Sequence, residues 1–567
     1  MKNNIKINLN FIKAIFLKRS LVVKVILVFL LSFVSCTDFL EEKPITAYSA
    51  DQFYDSTEKL NSAVLGIYDV LSSRELFGTN IVLLGADTDI EILRGTTVNG
   101  AAGTIEEVGH YNTQNKSTIV ESLWAKFYDA VNRSNAVISN ASKMPSSNAD
   151  EQKRIKKYIA EAKALRAFLY TNIVISWGDA PLRTVASDLS QNLSLERSPK
   201  SKIYAQIVKD FEDAIPDLPW HDDVNADKGR INKGAAMALY TRALLFAGGY
   251  SLYQDGTVKR ADNYLEYYEK AEIISKELIS SGKHVLNPSY ENIFRNLCGN
   301  IIEPSESMFE IDFGYLAGQG SHAGTIGGSS TGVAIAGHSA SYNVAPKMFT
   351  HYYMYNKFGV NDLRRRVSIA DYKLNGPNFT EVPISVKSSS TWSCAKWRRN
   401  WHTSVPTNFT LTDVNYVVIR YSEVLLMRAE ILNELNNGPT PESIELVNKV
   451  RRRGYGTNNI GTNADVPLNF TTDYTTFLNF ITEEYAREFY GEGNRKFHLI
   501  RWNLLGKRIA EMAAIFGDPA TKDFHGLRVY LAGNLFTAGK HELYPIPYRD
   551  IVESNGALIQ NPGYSDF

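Results

Sequence analysis

Asp87, Asp89 and Glu91 alternate along the chain, and on an extended segment that spacing sets three carboxylates on one side. Such a set could act as an acid/base pair, hold calcium or bind sugar hydroxyls, and a solvated face would explain it equally well. The spacing lacks the remaining ligands of a calcium loop. Gly337-His338-Ser339-Ala340-Ser341 comes within one glycine of a serine-hydrolase nucleophile elbow, but its Gly/Ser-rich surroundings do not read as strand then helix. No His-Glu-x-x-His zinc helix, P-loop or dinucleotide-binding glycine motif is present, so no catalytic residue, metal site or cofactor is assigned. Trp392, Trp397 and Trp401 are different: they fall in a segment rich in Ser, Lys, Arg and Asn, where exposed indoles are unfavourable unless covered. An indole face matches the C–H face of a pyranose. The other use open to these rings is packing the segment onto the rest of the chain. Tyr342, after a glycine-rich run, and Tyr111 with Asn112, beside the acidic segment, complete the ligand-binding candidates.

Cys36 has one evident chemical use. Before it come only basic charges, Lys2 to Lys24, and the apolar run Val25 to Leu31, too short for a bilayer core of roughly 30 Å. Residues 1–35 therefore read as a signal peptide that is removed. Leu31-Ser32-Phe33-Val34-Ser35-Cys36 resembles a bacterial lipobox, which makes Cys36 the new, lipid-bearing N-terminus. At ~0.8 kcal/mol per buried methylene, several acyl chains anchor stably where one does not. Asp38, Glu41 and Glu42 resemble the surface-export signal of Bacteroidetes-type lipoproteins, which implies the outer face of the outer membrane.

The 567 residues are 44% hydrophobic and 11% aromatic, a globular composition. Sixty-one basic residues balance 61 acidic ones, which disfavours a nucleic-acid partner. The triple arginines Arg364–Arg366 and Arg451–Arg453 read as structural ion pairs and solvated faces. Cys298 and Cys394 form neither a zinc site nor a disulfide framework, and their pairing is left open.

The elements that must position these groups are mostly helices. Trp124, Phe127, Tyr128 and Val131 recur at three- and four-residue steps, as do Ile159, Ala162, Leu165 and Phe168, then Ile203, Ile207 and Phe211. Ala235, Leu239 and Ala243 follow the Gly229-Arg230 turn, and Tyr268, Ala271, Ile274 and Leu278 run to a stop at Gly282. Small residues at Ala235, Ala236, Ala238 and Ala243 allow close helix pairs. The expected fold is mainly α: degenerate tetratricopeptide-like helical repeats with long irregular loops and little β structure. Residues 36–56 form a lipidated, extended leader and 57–567 a single domain, with an N-terminal part about 57–250 and a C-terminal part about 251–567. Loop-rich ligand regions are expected at about 316–345 and 371–412. Helices return at Tyr421 to Leu435, Glu442 to Arg453 and Phe477 to Tyr490.

Taken in order, several segments resemble the SusD/RagB family of outer-membrane nutrient-binding lipoproteins. They are Cys36 to Pro44, Trp124 to Tyr128 with Asn135, Glu161 to Phe168, and Gly178 to Leu182. Further on come Arg420 to Glu430, Asn448 to Arg451, Arg487 to Phe489 with Glu492-Gly493 and Arg495, Pro545 to Pro547, and Gln560 to Tyr564. Two departures stand out: Tyr485 where the family commonly has arginine, and His498 where it often has aspartate. The resemblance implies a non-catalytic surface protein, held in the outer membrane by its N-terminal lipid, that captures an oligosaccharide and delivers it to a SusC-like TonB-dependent transporter. Peptide or glycopeptide cargo, a surface glycan hydrolase and a helical-repeat adaptor are the alternatives.

Overall fold

The computed structural model describes residues 53–78, 80–95, 104–187, 196–314, 324–326, 331–403, 411–457, 460–525 and 529–565. Cys36, the signal segment and, within the glycine-rich stretch, residues 315–323 and 327–330 lie outside these residues. Helices follow the apolar spacing. They are α1 Thr57–Leu71, α2 Thr118–Ala141, α3 Ala149–Trp177, α4 Lys200–Ala214, α5 Lys233–Gly248, α6 Tyr264–Ser280, α7 Tyr290–Cys298, α8 Tyr421–Leu435, α9 Pro441–Gly454, α10 Tyr474–Glu488 and α11 Leu505–Gly517, with shorter turns between. Polar caps start them: Asn148 accepts the Glu151 N–H at 2.9 Å and Asn232 the Ala235 N–H at 3.0 Å. Along the chain, α1 packs on α2, α2 on α3, α3 on α4, α4 on α5 and α5 on α6, while α8 packs on α6, α9 and α10. From α2 to α6 each helix thus lies against its predecessor, as stacked helical hairpins do.

α5 is buried on every side, which is why its sequence is apolar all round. Its small residues set the spacing as expected: a Cβ on Gly248 would come within 2.9 Å of the Tyr268 ring of α6.

Strands are few and short. They are β1 Ile92–Leu93, β2 Ser307–Ile311, β3 Ile335–Ala336, β4 Met348–Phe349, β5 Ile369–Ala370, β6 Tyr372–Asn375, β7 Thr380–Pro383, β8 Ser393–Cys394 and β9 Tyr416–Arg420, besides a small pair near residue 255. β2 and β9 pair antiparallel, both fully buried, and β9 runs directly into α8. β1, β4, β8 and β5 form a four-stranded sheet in that order. The 371–412 region is therefore not loop throughout. Tyr372 and Leu374 point inward while Lys373 and Asn375 face solvent, an alternation that holds β6 in a hairpin with β7.

A buried ionic network ties the C-terminal part together. Arg420, at the end of β9, donates to Glu306 at 3.1 Å, Glu488 at 2.8 Å and both oxygens of Glu492 at 2.8 and 3.0 Å. Arg453 grips Glu306 at 2.9 and 2.8 Å and also reaches Glu488. Arg364 bridges Asp362, Glu484 and Glu488, and Lys396 meets Glu492 at 2.5 Å. Burial alone would raise the Glu484 and Glu488 carboxyls, but the surrounding guanidiniums hold both well below the usual range. Removing one member would leave a buried charge unpaired, at roughly 3–5 kcal/mol. Arg364 and Arg451–Arg453 are structural, as their runs suggested; Arg366 instead makes an exposed pair with Glu381.

Tyr485 and His498, the two departures from the family pattern, meet each other. Their rings are 5.0 Å apart and Trp502 lies 5.2 and 5.4 Å from them. Where the resemblance implied an ion pair, this chain has packed aromatic rings.

Candidate functional site

β3 pairs in parallel with β6, and β6 antiparallel with β7, to form a three-stranded sheet. Its inner face rests on a separate apolar cluster of Val333, Ile335, Val344, Ala370, Tyr372, Leu374 and Ala395. Two turns leave the same end of this sheet. One follows β3 through Gly337, whose φ of +68 lets the chain turn into His338. The other joins β6 to β7, where Gly376 takes φ +70 and Phe379 φ +51. Left-handed backbone is unusual for a bulky aromatic and costs of order 1 kcal/mol.

These turns bring three rings together. His338 stacks on Phe379 at 5.0 Å and 16°, Tyr342 lies 4.2 Å from His338, and Tyr342 and Phe379 are 5.7 Å apart at 53°. The Ser339 N–H donates to His338 Nδ1 at 2.7 Å, which fixes the imidazole. All three rings are half-buried, and Ser339, Asn343, Asn375 and Asn378 around them are exposed. The result is an aromatic platform with a rim of uncharged hydroxyl and amide groups. Rings of this kind stack on the C–H faces of sugars while amides and hydroxyls exchange hydrogen bonds with sugar hydroxyls.

Of the residues singled out by sequence, Tyr342 stands on this platform. The three tryptophans do not, and the packing use is the one the structure shows. Trp392, Trp397 and Trp401 are 4%, 0% and 9% exposed. Trp392 lies 4.9 Å from Tyr355, Trp397 meets Phe294 edge-on at 5.4 Å, and Trp401 sits between the guanidiniums of Arg295 and Arg398 at 4.5 and 4.4 Å. Their segment is polar because its polar groups bond inside the protein, with Arg398 donating to Ala395 and Arg366 carbonyls at 2.9 and 2.6 Å.

The acidic segment is also internal. Asp87 pairs with His110 and accepts the Leu93 N–H at 2.6 Å. Asp89 forms a two-pronged pair with Arg495 at 2.8 and 2.6 Å; burial opposes its ionisation, but Arg495 prevails and holds the carboxyl at about 2. Glu91 accepts the Gly491 N–H at 2.6 Å, and burial pushes its carboxyl up to about 7. These carboxylates face three different partners. Tyr111 is buried with Lys496 Nζ 4.7 Å over its ring, and Asn112 lies on the adjoining turn, its N–H donating to Glu107 O at 3.0 Å. The Gly337–Ser341 segment is the turn after β3, not an elbow into a helix. Cys298 and Cys394 are both free and buried, each thiol pushed up to about 12 by burial. His338 and Phe379 were not among the expected ligand residues. Their signal was faint: one glycine before each turn.

Residues 305–564 match the model of the SusD family, and residues 38–245 match a SusD-like model described as starch-binding associating with outer membrane. SusD-like protein P2 of Formosa agariphila is 26% identical over 555 residues, 95% of this chain and 98% of that protein. SusD-like protein P25 of the same organism is 25% identical over 96% of this chain and 99% of its own length. Among solved structures, a SusD homolog from Bacteroides thetaiotaomicron superposes with a TM-score of 0.80 at 27% identity, covering 91% of this chain and 98% of that one. A laminarin binding SusD-like protein superposes with a TM-score of 0.67 at 22% identity, covering 90% of this chain and all of its own, a likeness of fold. The stacked helices and these matches, which together run along nearly the whole length, agree, and the chain belongs to the SusD family.

Proposed function

We propose that this protein is a non-catalytic, lipid-anchored glycan-binding protein of the outer membrane. It captures an oligosaccharide on the His338–Tyr342–Phe379 platform and passes it to a SusC-like TonB-dependent transporter. The platform is the observation that carries the reading: partly exposed rings, one on a left-handed backbone, with the exposed hydroxyl and amides of Ser339, Asn343, Asn375 and Asn378 around them. Such a rim suits an uncharged glycan better than a charged one. Support for glycan over other cargo comes from the family, whose second model is described as starch-binding, and from fold neighbours that include a surface glycan-binding protein of B. thetaiotaomicron in complex with laminarihexaose. Support for the anchor and the location is the lipobox-like Cys36 and the words "associating with outer membrane". The two carboxylates that would have favoured a hydrolase, Asp87 and Asp89, are held by His110 and Arg495.

Calorimetric titration of soluble Thr37 to Phe567 against neutral oligosaccharides and peptides, with product analysis, tests this reading. Expected is saturable binding of a glycan without cleavage, weakened at least tenfold by Tyr342→Ala and unchanged by Trp392→Phe. Binding of peptides alone, or cleavage of any ligand, would overturn it.

A further inference from the structure

An asparagine followed by glycine can react with its own chain, one source of the thermal lability of asparagine in proteins. The glycine nitrogen attacks the asparagine side-chain carbonyl, and glycine leaves that approach open because it has no Cβ. The sequence holds four such pairs, Asn99-Gly100, Asn375-Gly376, Asn437-Gly438 and Asn555-Gly556, the first outside the described residues. The other three asparagines are all exposed, so exposure does not separate them. Their glycine nitrogens do.

Gly376 donates its N–H to Ala336 O at 2.9 Å across the platform sheet, and Asn375 Oδ1 lies over Gly337, where a Cβ would meet it at 3.0 Å. Gly438 donates to Asn433 O at 2.9 Å, at the C-terminal end of α8. A donated N–H is shielded from the water that must take its proton before the nitrogen attacks. Asn555-Gly556, just after the short helix Tyr548–Glu553, has no such protection. The Gly556 N–H has no acceptor and the Asn555 side chain no hydrogen bond among the described residues. Nothing lies within 4 Å of the place a Gly556 Cβ would take, and both residues are exposed. Asn555 holds φ +52, with its own N–H donated to Val552 O at 3.2 Å, so the turn is fixed while the reacting groups are free.

We propose that Asn555-Gly556 is a self-modification site, at which the fold permits conversion of asparagine to isoaspartate or aspartate while it protects Asn375 and Asn437. The Gly556 nitrogen bonds to Asn555 Cγ, the Cγ–Nδ2 bond breaks, and Nδ2 leaves as ammonia with the proton that Gly556 gives up through solvent. The product is a cyclic imide. Water then adds to one of its two carbonyls, hydroxyl to carbon and proton to the ring nitrogen. Opening at the Asn555 main-chain carbonyl leaves isoaspartate, with the chain routed through Cγ, and opening at Cγ leaves aspartate. Nothing is oxidised or reduced, and either product adds a negative charge to the turn. The chain beyond stays docked, because Gln560 exchanges hydrogen bonds with Ile546 at 2.6 and 2.9 Å and Asn561 Nδ2 donates to the Trp177 and Tyr544 carbonyls at 3.0 and 2.7 Å.

The test is incubation of the purified protein at pH 8, followed over time by peptide mass mapping and by methyl labelling with an isoaspartate-specific methyltransferase. The peptide carrying Asn555 should convert, mostly to isoaspartate, at least tenfold faster than those carrying Asn375 or Asn437. Its rate should fall severalfold at pH 6 and should not depend on protein concentration. Asn555→Gln, whose longer side chain moves the carbonyl out of reach, should not convert. In urea, where the hydrogen bonds of Gly376 and Gly438 are gone, the three rates should come within a few-fold of one another. Conversion at Asn375 or Asn437 as fast as at Asn555 in the folded protein, no conversion at Asn555, or the same tenfold ranking kept in urea would each overturn the proposal.

Discussion

Asp89→Asn separates a structural carboxylate from a functional one. In the folded protein Asp89 is buried and two-pronged on Arg495, and its carboxyl is held at about 2 against a usual value near 3.8. A shift of nearly two units corresponds to about 2.5 kcal/mol of stability at neutral pH. Because the folded value is depressed, this contribution is fully present above about pH 4 and is lost as pH falls towards 2. Asparagine has the shape of the protonated acid, so the substitution should cost at least about 2.5 kcal/mol, and up to roughly 5 if Arg495 finds no substitute. Urea unfolding of both proteins at pH 7, 5, 4 and 3 measures the difference. It should be constant from pH 7 to about 5 and narrow at pH 4 and 3, as the native protein loses what the variant never had. Glycan affinity of the folded variant should match the parent. A difference below about 1 kcal/mol, one that does not narrow in acid, or a loss of affinity without a loss of stability would refute the structural assignment.

Glu91→Gln should have the opposite sign. Its carboxyl is raised to about 7 by burial, so the native protein loses stability as pH rises from about 4.5 to 7, by about 3 kcal/mol. Glutamine retains an acceptor for the Gly491 N–H, and the variant should gain on the parent between pH 5 and pH 8 in urea unfolding. Phe379→Gly removes left-handed strain but also the ring that packs on the apolar cluster, so the opposing effects should leave stability within about 2 kcal/mol of the parent by urea unfolding, while titration should show at least a tenfold loss of glycan affinity. Trp397→Ala empties a fully buried site and should cost about 3–5 kcal/mol by urea unfolding, with the folded fraction still binding glycan.

Much of the scaffold was legible because helical periodicity is local. The Tyr421–Leu435 helix falls where its pattern placed it, with Glu423 and Glu430 paired to the arginines Arg242 and Arg501 of neighbouring helices. The site was harder. His338 and Phe379 lie far apart in sequence, and what joins them is parallel pairing of β3 with β6, a register that no local pattern encodes. The tryptophans left two uses open because polar neighbours suggested solvent, whereas Lys396, Arg398 and Arg399 are themselves buried. The alternating acids misled for a related reason: Asp87 adopts a φ of +56, which breaks the extended run that alternation assumed.

The platform stands on its own small apolar cluster, separate from the large core that unites the helices. That division matters for how such a protein changes over generations. Substitutions at the turns after β3 and β6 touch few residues on which the helical scaffold depends, so their effects on cargo and on folding are nearly independent. On the function proposed for the platform, cargo preference would vary one turn at a time without disturbing the ionic network that fixes the scaffold.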